Sequence, residues 1–469
     1  MSRVVVVGGG ISGLAAAHAL ASGPNPPRIT VLEGSPRLGG KLAGGNIEGV
    51  PVDLGAESVL ARRPEGLELI KAVGLGDELV HPATTSAGLW VGDRIRAIPP
   101  TVMGVPMDPA ATADVLGAEA AQEVAHEAEL AAPALTEDVA IGRFVAERMG
   151  KAVTDKLIDP LLGGVYAGNA DEISLQAAVP DLYAELRTAP SLLAATAELR
   201  EAGQKRAGQP VFAGIVGGVN RLIDALEQDL TAHGVEIRRK LAVRRITRSA
   251  DGYTLEAGPV PDPTYLTADA VIIAVPAAPA ARMLAELAPA ATTELTAIEY
   301  ASMAIVTLAV RKEDWPAGAT GSGFLVPSVE GRTIKASTYS HAKWAWSAEA
   351  GGELAILRAS VGRLGEEYVL QRSDEELVAL AVSDLEQAVG LGGEVVGSLV
   401  QRWGGGLPQY AVGHVDRVDR VEAAVAGVPG LAVCGAAYRG VGIAACIASG
   451  SKAATRVQAH LDALGTMAP

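Results

Sequence analysis

Cysteine is scarce in this chain: two in 469 residues, Cys434 and Cys446, within one apolar segment. Their spacing matches no zinc pattern, and the seven histidines are scattered without ligand-like grouping, so no metal site is expected. Both cysteines read as buried, reduced thiols. A run of about 18 apolar residues, the length a membrane-crossing helix needs, is also missing. The nearest approach, residues 271–287, is interrupted by Pro276, Pro279, Arg282 and Glu286. No transmembrane helix is expected. The first residues lack the basic leader of a signal peptide and enter a strand at once, so a cytoplasmic protein is expected. Between Pro99 and Gly142 there is no lysine or arginine but eight acidic residues, among them Glu127 and Asp138. That stretch reads as helical with one solvated face, and not as a lipid-binding surface, which needs basic and aromatic residues. The net charge of -15 argues against a nucleic-acid partner.

What is present begins at Arg3. Val4 to Val7 form an unbroken apolar run, as in a strand buried on both faces. Gly8, Gly10 and Gly13 follow in the spacing of the dinucleotide fingerprint, with Ile11 and Ser12 opening a helix. Gly8 permits the tight turn, Gly10 admits a pyrophosphate, and Gly13 lets helix and sheet approach. A second apolar strand, 29–32, ends at Glu33, 20 residues past Gly13, where a ribose hydroxyl would be bound. Gly34 follows. Next come Arg37, Gly39, Gly40 and Lys41, an Arg-x-Gly-Gly loop suited to a second phosphate contact, then a strand running into Gly55, Ala56, Glu57 and Ser58. Together these stretches point to FAD over NAD.

Further along, Leu89 to Ile98 reads as a hairpin, and 100–205 as one mostly helical insert. Val235–Arg238 and Val243–Thr247 read as a strand pair, with Val243 near the nucleotide. Residues 268–276 form a buried strand carrying Ala274. The strand-like segments 303–310, 323–326, 333–339 and 354–361 are spaced as in an antiparallel sheet. Asp374 to Val389 is an amphipathic helix behind the capping pattern Ser373-x-x-Glu376. Near the end, a strand stops at Gly435, and Gly440, Val441, Gly442 and Ile443 open a last helix whose N-terminus favours an anionic reduced flavin. The fold class is therefore α/β (α+β overall). A discontinuous dinucleotide-binding domain comprises 1–85, 206–275 and 425–469; a sheet domain comprises 86–99 and 276–424; the helical domain is 100–205.

These blocks, with Leu157 to Gly168, Phe212 to Leu222, Gly321 to Pro327, Arg402-Trp403 and Leu407 to His414, resemble the flavin-dependent protoporphyrinogen and coproporphyrinogen oxidases of haem synthesis. The resemblance spans nearly the whole chain. The glycine-rich ends are shared with amine oxidases and phytoene desaturases; the 160–168, 323–327 and 407–414 blocks are more specific. It implies an amine-oxidase-like fold holding FAD. It further implies oxidation of a porphyrinogen to a porphyrin in three flavin turnovers, each passing a hydride to flavin N5, with O2 regenerating the flavin and yielding H2O2. No catalytic side-chain acid or base is implied; positioning the macrocycle over the flavin carries the work. Gly163 and Gly164 resemble a backbone element contacting substrate pyrroles. Arg62 and Arg63 match the loop that places a propionate partner, and Lys335, His341 and Lys343 are further candidates. Coproporphyrinogen III, with four propionates, is favoured over protoporphyrinogen IX because no membrane-facing insert is apparent. Another flavin amine or polyene oxidase, or a non-catalytic porphyrin carrier, are the remaining readings. A transient contact with the next haem-pathway enzyme is compatible with the resemblance, and the residues fix no oligomeric state.

Overall fold

The computed structural model describes residues 2–133, 135–204 and 208–467. Its organising element is a five-stranded parallel sheet in the order Glu236–Arg238, Arg28–Leu32, Arg3–Val7, Ala270–Ile273, Leu431–Val433. The valine run explains the central place of Arg3–Val7. Val4 and Val6 point into one core, with the helices Ile11–Ala21, Arg221–Ala232 and Ile443–Met467; Val5 and Val7 point into another. All four are at most 3% exposed, so no position had to be polar. Helices Ile11–Ala21 and Ile443–Met467 lie against each other so closely that a Cβ on Gly450 would sit 2.2 Å from the Ser12 carbonyl oxygen.

The expected strand pair does not exist. Glu236–Arg238 adds to the edge of the parallel sheet, whereas Val243–Ser249 begins a separate antiparallel sheet with Gly252–Ala257 and Thr264–Ala268. The reason lies between them: Lys240 donates its N–H to the Ser35 carbonyl and Leu241 to that of Glu33, which ties the connection to the loop after Arg28–Leu32 and prevents a hairpin.

The larger sheet has seven strands in the order Val395–Pro408, Tyr300–Arg311, Leu354–Val361, Ile334–Thr338, Gly323–Leu325, Ala87–Val91, Arg94–Ala97. It is mixed, not wholly antiparallel, because Gly323–Leu325 pairs parallel with Ala87–Val91; the hairpin expected at Leu89 to Ile98 forms between Ala87–Val91 and Arg94–Ala97. Helix Asp374–Val389 covers one face, opened by a complete capping box of Ser373 and Glu376.

The domain limits need correction at two places. Helices Ala277–Leu284, Pro289–Thr296 and His414–Ala426 pack on the parallel sheet, in one core with Val5, Val7, Val271 and Leu431, although the sequence reading gave them to the sheet domain. Apolar faces of these helices match the cofactor-domain sheet, whatever their place in the chain. The 205/206 boundary lies outside the described residues. The helical insert has its own core around Ile141, Leu157, Leu162 and Leu182. Two of its acidic residues are not solvated as expected. Glu127 is fully buried, paired with Arg148 and accepting the N–H groups of Leu192 and Leu193 at the start of helix Leu192–Gln204. Asp138 accepts from Ser174 Oγ and the N–H groups of Gln176 and Gly413.

Candidate functional site

A cavity of about 460 Å³ opens at the carboxyl ends of Arg3–Val7 and Ala270–Ile273, where ligands of open parallel sheets are bound. Gly8 holds a positive φ of 110°, and a Cβ there would lie 2.4 Å from the Ala274 oxygen; only glycine turns the chain off the strand here. A Cβ on Gly10 would meet no atom within 4 Å, and Gly10 lines the cavity, so its bareness leaves room for a ligand. Gly39 donates to the Gly9 carbonyl at 2.8 Å, fastening the second glycine loop beside the first. Glu33 accepts the N–H groups of Gly9 at 2.8 Å and Ser35 at 2.7 Å, bracing both loops from the cavity wall. The helices Ile11–Ala21 and Ile443–Met467 both begin at this wall, so their unsatisfied N–H groups favour negative charge.

Of the expected cofactor residues, Gly8, Gly10, Ile11, Ser12, Glu33, Gly34, Gly39, Gly40, Lys41, Ala56, Val243, Ala274, Gly435, Val441 and Ile443 line this cavity. Gly13, Arg37, Gly55, Glu57, Ser58 and Gly442 do not. Gly13 serves packing, since a Cβ there would lie 2.0 Å from the Gly8 oxygen. Arg37 turns back on its own loop, donating to the carbonyls of Leu38 and Gly40, and lies over the Trp403 ring. Sequence reasoning missed Pro276, Arg282, Met283, Tyr300 and Ala436, which also line the cavity. The rule that ligands sit beyond strand ends would have found Pro276; Tyr300 carries no local signal.

A second cavity, of about 380 Å³, lies between the sheet and helix Asp159–Tyr166. Lys41, Ala56 and Val441 line both cavities, so the two meet there. Its other walls are largely apolar: Met303, Ile305, Leu325, Ala336 and Leu407. Gly164 lines it and Gly163 does not. Both lie in the last turn of Asp159–Tyr166, which follows a π-helical turn at Thr154–Ile158 where Pro160 cannot continue the regular ladder.

Gly55 and Glu57 belong to this second cavity, not the first. Burial alone would raise the Glu57 carboxyl, but Lys343 and Arg358 outweigh it and hold it down to about 2. Lys343 thus has a carboxylate partner inside the protein, and Arg358, absent from the sequence expectations, lines the cavity at 8% exposure. Lys335 is buried just behind the wall, its Nζ 4.0 Å from the sulfur of Met303, and burial brings its amine down to about 7. His341 Nδ1 lies 3.0 Å from the Ile356 carbonyl oxygen, and burial lowers its pKa. Arg62 and Arg63 are exposed and line neither cavity; Arg63 precedes helix Pro64–Ala72.

Among the described residues no helix is long and apolar enough to cross a membrane, and no cluster of three or more His, Cys, Asp or Glu could hold a metal. Both cysteines are free and buried; Cys446 lines the first cavity, and burial raises its pKa.

Residues 11–458 match the model of the flavin containing amine oxidoreductases. The chain is 37% identical to a coproporphyrinogen III oxidase of Mycobacterium tuberculosis, with 98% of each chain covered. It is 31% identical, again over 98% of both, to a coproporphyrinogen III oxidase of Bacillus subtilis. A solved structure from Exiguobacterium sp. 255-15, provisionally named a protoporphyrinogen oxidase, superposes with a TM-score of 0.83 at 33% identity, covering 98% of this chain and 99% of that one. The glycine-walled cavity with two helix N-termini fits a flavin nucleotide, and the apolar cavity that meets it at Lys41, Ala56 and Val441 gives a substrate access to the same point. The chain belongs to the flavin containing amine oxidoreductase family and is a flavin-dependent oxidoreductase.

Proposed function

We propose that the protein is an FAD-dependent coproporphyrinogen III oxidase of haem biosynthesis, working in the cytoplasm, that forms coproporphyrin III and H2O2 with O2 as acceptor. The observation that carries this reading is the junction of two cavities at Lys41, Ala56 and Val441. FAD in particular is supported by the first cavity, where Gly8, Gly10, Gly39 and Gly40 present bare backbone to a pyrophosphate and Glu33 stands where a ribose would lie. Bound FAD would supply the two-electron acceptor for each oxidation step.

The chain's own residues bind, orient and exclude water. Met303, Ile305, Leu325 and Ala336 make an apolar wall for a flat tetrapyrrole, and Gly164 lets its plane come close to the helix backbone. Lys41 places positive charge where the two cavities meet, which suits an anionic substrate, whereas Arg358 is engaged by Glu57. Glu57 is locked as an ion by Lys343 and Arg358, so it is not poised to take a proton. Positioning therefore carries the work. Arg62 and Arg63, outside the cavity, could meet only carboxylates that extend beyond its mouth.

Coproporphyrinogen is preferred to protoporphyrinogen because the mycobacterial and Bacillus relatives carry that name over their whole length. The name of the Exiguobacterium structure supports protoporphyrinogen IX as the second reading. The test is turnover of both porphyrinogens under air, followed by porphyrin fluorescence, with the released flavin identified after denaturation. Coproporphyrinogen should have the higher kcat/KM and the flavin should be FAD. Equal or better use of protoporphyrinogen would transfer the assignment to the second reading; a protein purified without flavin would favour a porphyrin carrier.

A further inference from the structure

Two side chains from one turn hold three backbone groups of the loop between Leu431–Val433 and Ile443–Met467. Tyr410 Oη donates to the Ala436 carbonyl at 2.7 Å and accepts the Gly440 N–H at 2.7 Å. His414 Nε2 lies 2.8 Å from the Tyr438 carbonyl oxygen. A carbonyl only accepts, so Nε2 carries the proton. The phenol and imidazole rings stack with centroids 3.8 Å apart and planes 14° apart. Both residues are almost wholly buried, at 2% and 1% exposure. The rings act as one plate: neither can turn without unstacking and leaving a buried polar group unpaired.

What the plate holds is the junction itself. Ala436 and Ala437 line the first cavity, and Val441, next to Gly440, lines both. Gly440 has a positive φ of 134°, and a Cβ there would lie 2.7 Å from the Ala445 Cβ, so only glycine fits at this point of the loop. Directly after it, Ile443–Met467 begins with its orphan N–H groups at the cavity wall. Neither Tyr410 nor His414 lines either cavity. Their reach to the cofactor runs through the loop.

We propose that Tyr410 and His414 are positioning residues that set the reduction potential of the bound flavin, by fixing the N-terminus of helix Ile443–Met467 against it. The inference rests on the FAD reading above. Its basis is electrostatic: a helix N-terminus stabilises negative charge only within its first turn, so a loosened loop stabilises the anionic reduced ring less.

Tyr410→Phe keeps the ring and the stack and removes only the hydroxyl. His414→Phe keeps a flat ring and removes the Nε2 donor, whereas His414→Gln offers a donor again. Spectroelectrochemistry of the flavin-loaded protein, without porphyrinogen, reads the effect. Tyr410→Phe and His414→Phe should retain flavin and shift its equilibrium about tenfold toward the oxidised form, about 30 mV for a two-electron couple. His414→Gln should recover part of that shift. Amide exchange on the wild-type protein gives an independent reading, with the Gly440 N–H strongly protected. Flavin-loaded variants within twofold of the wild-type equilibrium, or a Gly440 amide exchanging as fast as exposed loops, overturn the proposal. Protein that carries no flavin at all would instead overturn the FAD reading.

Discussion

Arg358 Nη1 lies 2.7 Å from Glu57 Oε2, an ion pair between residues 301 apart in sequence that joins the seven-stranded sheet to the loop after Val50–Asp53. Lys343 makes a second ion pair with the same carboxylate, the other Arg358 nitrogen donates to the Gly55 carbonyl, and Trp403 Nε1 donates to that of Leu54 at 2.9 Å. Three side chains beyond residue 340 thus hold Leu54, Gly55 and Glu57 in place, and with them the stretch 54–57. That stretch includes Ala56, at the junction of the cavities.

Glu57→Gln should therefore be severely destabilising, because it leaves Lys343 and Arg358 as buried cations without a counter-charge. Breaking a buried pair from one side costs about 3–5 kcal/mol. Urea unfolding measures it; a loss under about 1 kcal/mol would show that the cluster relaxes into solvent.

Lys335→Met should stabilise the protein near neutral pH. The wild-type amine titrates near 7 when folded because burial opposes its charge, and the nearby Arg363 adds to that. An unfolded lysine titrates near 10.5, so between these values the unfolded chain binds more protons, and wild-type stability rises with pH across that window. The rise is about 5 kcal/mol. Methionine, of similar length and neutral, should remove the slope and raise Tm most at pH 7 and below. Parallel Tm profiles for the two proteins from pH 6 to about 10 would show that the amine is solvated when folded.

The first cavity was legible because its determinants are local. A strand, three glycines and a helix stand next to one another in sequence, and each has one structural role. The second cavity was less legible, since Arg358, Met303 and Ile305 sit in strands whose alternation gives only a face, and what covers the face depends on distant pairing. Glu57 shows the limit well. Its place in a loop after the nucleotide motifs suggested the cofactor, and only the sheet contacts reveal Lys343 and Arg358 as its partners. Glu127 failed in the same way: its segment carries no lysine or arginine, and Arg148, which lies beyond that segment, pairs with it in the core.

Arg62→Ala with Arg63→Ala should raise KM for coproporphyrinogen several-fold while flavin content stays unchanged. Both guanidinium groups are exposed, and no ion pair engages them among the described residues, so they are available to substrate carboxylates reaching solvent. Exposed charge pairs contribute about 0.2–1 kcal/mol each, which limits the pair to a several-fold effect. Steady-state kinetics at two salt concentrations distinguish the case, because screening should shrink the difference. An unchanged KM at low salt would return the two residues to the ordinary protein surface.

Gly164→Val should block substrate without disturbing the cofactor. A Cβ at Gly164 would lie 3.6 Å from Leu325 Cδ2, an ordinary contact, so alanine is accommodated and the helix should gain slightly from it. The two further methyl groups of valine must enter the cavity or displace Leu325, which is part of the opposite wall. Gly164 does not line the cofactor cavity, so flavin content and the flavin spectrum should match the wild type. The expected order of kcat/KM is glycine, then alanine close to it, then valine lower by at least about tenfold, equivalent to about 1.4 kcal/mol of transition-state binding. If valine leaves kcat/KM intact while Gly163→Val lowers it, the substrate lies on the other side of the helix turn, and the apolar cavity is not where it binds.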